Sequence, residues 1–150
     1  MIHDAYAFRG EFVDIFTHIE RWAADVIRSD RAKASGLTKG KPSHFIGQKI
    51  ELVRTLAADD AQVFVHPGRV RHLIDYLAPY LKLRSDVVHS TLRILRDNGE
   101  EFWAFESSSA EPASAAGRLW LKAGDAKMVL AKLRDCRRLL GDQRTKPVTG

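Results

Sequence analysis

Arg84 and His89 stand five positions apart in the run Arg84-Ser85-Asp86-Val87-Val88-His89, at the end of an apolar helical pattern. Arginine keeps its charge at any physiological pH and offers a planar fork of donors to a phosphate, whereas histidine titrates near neutrality and can take or give a proton. Together they are the minimum equipment for metal-free cleavage of a phosphodiester, with one group to polarise the phosphate and one to move the proton. A regular helix turns 100° per residue, so positions five apart diverge by about 140° and do not share a face. Two arrangements would bring such groups together. Ser85 or Asp86 can act as an N-cap after a break at Leu83, or the site can be assembled from two copies across a dimer interface.

The elements that must carry these residues are read from periodicity. Phe8, Phe12, Ile15, Phe16, Ile19, Ala23, Val26 and Ile27 recur at intervals of three and four, which predicts one long amphipathic helix from Asp4 to about Arg28. Residues Ser29 to Pro42 hold Gly36, Gly40 and Pro42 among Arg31, Lys33, Lys39 and Lys41 with no apolar period, and read as a basic loop. Ser43 is placed to cap a second helix with the stripe Phe45, Ile46, Ile50, Val53, Leu56 and Ala57. A third, from Arg69 to Leu81, shows Val70, Leu73, Ile74, Leu77 and Leu81, with Pro79 as its kink or terminus.

Beyond the Arg84 to His89 run the pattern becomes extended. Thr91 to Arg96 and Glu101 to Glu106 flank Asp97-Asn98-Gly99-Glu100, and Asn-Gly between two such runs is a strong hairpin signal, expected here over residues 91–106. Ser107 to Gly117 reads as a surface loop, Arg118 to Leu121 as a short third strand, and Asp125 to Leu140 as a final helix. The expected class is mainly α, a four- to five-helix up-and-down bundle with a β-hairpin after the third helix. One domain would span residues 1–141, followed by a disordered tail over 142–150.

Composition bounds the function. With 150 residues, 45% hydrophobic and 29% charged, the chain suits one folded domain, and it lacks both a membrane-length apolar run and the basic start of a signal peptide. A cytoplasmic protein is the expectation. The single cysteine, Cys136, falls on the pattern Val129, Leu130, Leu133, Cys136, Leu140 and reads as a core position. The net charge of +5 is uneven: nine basic residues face three acidic ones from Arg118 to Gly150, against three basic and six acidic from Met1 to Asp30. A basic end fits a polyanion such as RNA, although a solvated helix face has the same composition.

The segment Leu81 to Ser90, with its arginine, four intervening residues and histidine after an apolar helix, resembles the HEPN superfamily. That resemblance implies a dimerising helical bundle and a metal-independent endoribonuclease of toxin–antitoxin or anti-phage defence, requiring no cofactor or metal. Its partners would be RNA, a second copy of the chain and an antitoxin or other regulatory protein, with no membrane. Carried over, Arg84 would bind the scissile phosphate and His89 would act as general base or acid at the RNA 2′-hydroxyl. Ser85 stands where the family often has asparagine or aspartate, and Asp86, one place on, would orient a partner. Glu20 on the first helix would support the site from a distance, or else is simply exposed.

Other constellations carry less. Gly36 to Pro42 has one residue too few between its glycines for a phosphate loop, and proline where serine or threonine is needed. His66, His72 and Asp75 lack a convincing metal-ligand spacing. Trp22, Trp103 and Trp120 suit base stacking or, more commonly, core packing. Two alternatives remain: a non-catalytic HEPN-like scaffold or partner-binding protein, and a winged-helix DNA-binding protein. In the latter, residues 69–81 would read the groove and Arg93 and Arg96 on the hairpin would touch phosphate.

Overall fold

The computed structural model describes residues 2–40, 44–107 and 118–148. The chain is mainly helical, with five α-helices and a small antiparallel sheet among the described residues, and no helix there is long and apolar enough to cross a membrane. Helix α1 spans Ile2–Arg28, α2 Asp30–Ser35, α3 Ile46–Leu56, α4 Pro67–His89 and α5 Ala126–Gly141. Strands β1 (Ser90–Asp97), β2 (Glu100–Ser107) and β3 (Arg118–Lys122) form a meander in the order β1-β2-β3.

Local chemistry explains the boundaries. Helix α2 exists because the Ser29 hydroxyl accepts from the Ala32 amide at 3.3 Å while Gly36, at a φ of 74°, supplies the left-handed stop. It occupies part of the expected basic loop, so the hairpin follows the fourth α-helix rather than the third. Phe45, expected in the core stripe of α3, is instead its N-cap and is 71% exposed; the expected cap Ser43 lies outside the described residues. Pro67 opens α4, where its fixed φ fits and its missing amide costs nothing. Helix α4 then runs on through Pro79 to His89 without the break expected after Leu83.

By contact the chain divides into two compact units, one comprising Met1–Phe16 with Pro79–Arg134 and the other Thr17–Ala78 with Asp135–Gly150. In the first, Phe8 meets Trp103 and Phe105 at ring separations of 5.8 and 5.9 Å, which fixes the face of β2 that α1 covers. Trp103, Ala104 and Phe105 are all buried, as suits the central strand of the three. Asn98 and Gly99, with φ of 49° and 78°, make the two-residue turn that sets Asp97 opposite Glu100.

In the second unit Val53, Leu56, Val63, Val70 and Leu140 are buried, and Trp22 stacks on Phe64 at 6.3 Å. The Cys136 thiol, 2% exposed, points at the Leu73 carbonyl at 3.6 Å. The segment after Gly141, expected to be disordered, pairs with the chain ahead of α4. Val65 donates to the Arg144 carbonyl at 3.0 Å, and Lys146 donates to the Val63 carbonyl at 2.7 Å. Val63 and Phe64 are buried between the exposed Gln62 and Val65, and the tail satisfies backbone groups that would otherwise be stranded beside them.

Candidate functional site

Arg84 and His89 both belong to the first unit, on the last turns of α4. Because the helix continues between them, the two side chains leave it about 140° apart and about 7.5 Å apart along the axis. Convergence through a helix break therefore does not occur within one chain. Arg84 is half-buried, and its Nε is enclosed with no hydrogen-bond partner among the described residues. His89 is exposed at the helix end, where it is the basic residue of the last turn. The side chains of Ser85 and Asp86 lie outside those described.

The backbone around His89 is held although its ring is free to meet solvent. Val87, two residues earlier, is fully buried. The Ser90 hydroxyl donates back to the Val87 carbonyl at 3.1 Å, satisfying one of the orphan acceptors at the end of α4. From α1, Arg9 Nη1 donates to the Ser90 carbonyl at 3.1 Å, while its guanidinium lies 5.0 Å above the Tyr6 ring. The junction between α4 and β1 thus has a bond on either side of the histidine. Sequence reasoning missed Arg9, whose only visible signal is a cation on the turn after Tyr6.

Glu20 lies in the second unit, where its carboxylate accepts from Lys49 Nζ at 2.8 Å; the side chains are 26% and 18% exposed respectively. It is thus occupied by an ion pair within that unit. Asp75 pairs with Arg54, and Arg71 reaches the Ala57 carbonyl and the Asp59 carboxylate, so two polar residues of the supposed groove-reading segment are taken up by neighbours. On the hairpin, Arg93 and Arg96 face Glu106 and Glu101 on β2 at 3.6 and 3.9 Å. Of the tryptophans, Trp103 is buried, Trp22 is stacked, and Trp120 is 55% exposed.

No family model, curated protein or solved structure matches the chain.

The first unit also contains a cavity of about 530 Å³ with an apolar floor of Phe8, Trp103, Ala126 and Leu130. Its rim includes Glu11 and Arg134, which pair with each other, and Glu101. The indole Nε1 of Trp103 donates to Glu101 Oε1 at 2.9 Å, and this bond holds the Glu101 carboxyl below the usual glutamate value. Arg84 and His89 are not among the residues lining this cavity.

Proposed function

We propose that the protein is a metal-independent endoribonuclease of HEPN type, acting as a homodimer in which Arg84 and His89 of two copies share one cleft. The observation that carries the reading is the state of Arg84. The residue is half-buried and its Nε is enclosed without an acceptor among the described residues, a cost in stability of the kind that residues kept for function carry. His89, exposed on a braced helix end, is free to reach a second copy or a substrate.

In this mechanism one His89 removes the proton from an RNA 2′-hydroxyl, and the 2′-oxygen attacks the adjacent phosphorus. The bond to the 5′-oxygen breaks, and a second proton donor, His89 of the other copy, protonates the leaving oxygen. The products are a 2′,3′-cyclic phosphate and a 5′-hydroxyl. The Arg84 fork holds the phosphate oxygens as negative charge grows on them. The 140° divergence within one chain favours a site built from two copies. The bundle would be of up-and-down type, and the setting a cytoplasmic toxin–antitoxin or anti-phage system with an antitoxin as regulatory partner.

A non-catalytic scaffold of the same family draws on the same divergence, since a lone copy would keep the two groups on different faces. The winged-helix reading is weakened by the ion pairs that occupy Arg71, Asp75, Arg93 and Arg96. The deciding experiment is cleavage of a mixed RNA by purified protein in excess EDTA, wild type beside His89→Ala, with product ends identified. Cutting that leaves cyclic phosphate ends and is lost in the variant is expected. Equal cutting by both proteins, or a monomer by light scattering at micromolar concentration, would overturn the reading.

A further inference from the structure

The two basic stretches noted in the sequence, the segment after α1 and the C-terminal tail, meet within the second unit. Helix α1 ends at Arg28 and α2 begins at Asp30, so Arg28 and Arg31 flank the Ser29 cap. The pairing of Phe64 with Thr145 lays the tail alongside the chain ahead of α4. Between the α1–α2 corner and the tail is a cavity of about 500 Å³, lined by Arg28, Ser29, Asp30, Arg31, Thr145 and Lys146 together with Pro147 and Val148. Three cations, two hydroxyls and one carboxylate thus surround a single space.

The cations are poorly neutralised for groups gathered so closely. Among the described residues, Arg28 pairs with Asp25 at 3.1 Å, but both side chains are about 70% exposed and such a pair contributes little. Lys146 Nζ donates to a neutral acceptor, Gln62 Oε1, at 2.6 Å. Arg31 Nε is buried with no hydrogen-bond partner among the described residues. Like charges brought together repel, and an enclosed donor without an acceptor has lost its water for nothing in return. A multivalent oxyanion in the cavity answers the repulsion, because it supplies negative charge and several acceptors to the two arginines and the lysine that line it. The volume exceeds what a bare phosphate fills and lies within the range of ordinary small-ligand pockets.

We infer that this cavity is an oxyanion site for a phosphate-bearing ligand, held by Arg31, Arg28 and Lys146. It is separate in residues from Arg84 and His89 and does not depend on RNA cleavage. The test is calorimetric titration of the full chain with inorganic phosphate at fixed ionic strength, with chloride as the control. Wild type is expected to bind. Arg31→Gln should weaken the affinity about tenfold, as loss of one charge-assisted contact would, and Lys146→Gln by a similar factor. Arg31→Lys keeps the charge without the fork and should still weaken binding, which preserves the test should Arg31→Gln unfold.

Competition then separates two sources of the same chemistry: displacement by adenosine 5′-monophosphate assigns the site to a free phosphate monoester, and displacement by a 5′-hydroxyl oligouridylate assigns it to an RNA backbone. Absence of phosphate binding in the wild type would overturn the inference. So would equal affinity in the folded Arg31→Lys and Lys146→Gln variants.

Discussion

Arg9 Nη1 donates to the carbonyl of Ser90, tying α1 to the residue that follows His89 across 81 positions of sequence. The bond is part-buried and charge-assisted, and it fixes the backbone on which the candidate base is carried. Arg9→Ala should cost about 1–2 kcal/mol of stability, measured by urea unfolding. If His89 acts on RNA, the same variant should lower kcat more than it raises KM, because placement rather than binding is disturbed. Arg9→Lys should restore part of both. An unchanged kcat in a correctly folded Arg9→Ala would remove Arg9 from the site.

Arg84 should be a net burden to the fold. Its enclosed Nε lacks a partner among the described residues, so Arg84→Met, which keeps the stem and deletes the stranded donor, should leave stability unchanged or raise it by about 1 kcal/mol. The same change should abolish RNA cleavage. Thermal midpoints and cleavage assays measured side by side check this pairing of gain and loss. A large drop in the midpoint would mean that Arg84 is a structural residue.

Cys136 should be unreactive in the native protein. Burial pushes its thiol up to about 11, so roughly one molecule in a thousand is ionised at pH 8. A thiol reagent at pH 8 should therefore label the folded chain far more slowly than the chain in guanidinium. Labelling at equal rates would contradict the buried position beside the Leu73 carbonyl.

Glu101 should make stability depend on pH in the acid range. The Trp103 indole holds the folded carboxyl below the ordinary glutamate value, so the contribution is fully present above that value. It is lost as the pH falls through the lower, folded one. Thermal midpoints of wild type and Glu101→Gln should differ near neutrality and converge at acid pH. A difference that grew on acidification would have the wrong sign.

Much of the chain is legible from pattern, and the exceptions have physical reasons. Phe8, Phe12 and Phe16 fall on one face of α1 and are buried, and Asn98-Gly99 identifies its hairpin because few other residues tolerate a positive φ at both turn positions. Helix α2 escapes periodicity analysis because six residues are too few to show a stripe; only its Ser29 and Gly36 caps reveal it. The continuous α4 is misread at Pro79 and Ser85 because both are weighed as breakers. A capping side chain contributes only about 1 kcal/mol, which the burial of Leu77 and Val87 on the same helix readily outweighs. Arg9 is invisible in sequence for a different reason: its partner is a backbone carbonyl, which has no residue type to recognise.

Neither compact unit is a continuous stretch of chain. Each is made of two segments, and the switches between them fall at Phe16, Ala78 and Arg134, inside helices α1, α4 and α5. A single proteolytic cut therefore cannot release either unit whole. Any shuffling event that moved residues 79–134 alone would carry off the hairpin and His89 but leave behind Arg9, Phe8 and Phe12. Neither unit is a portable cassette, because excising either one would sever α1, α4 and α5.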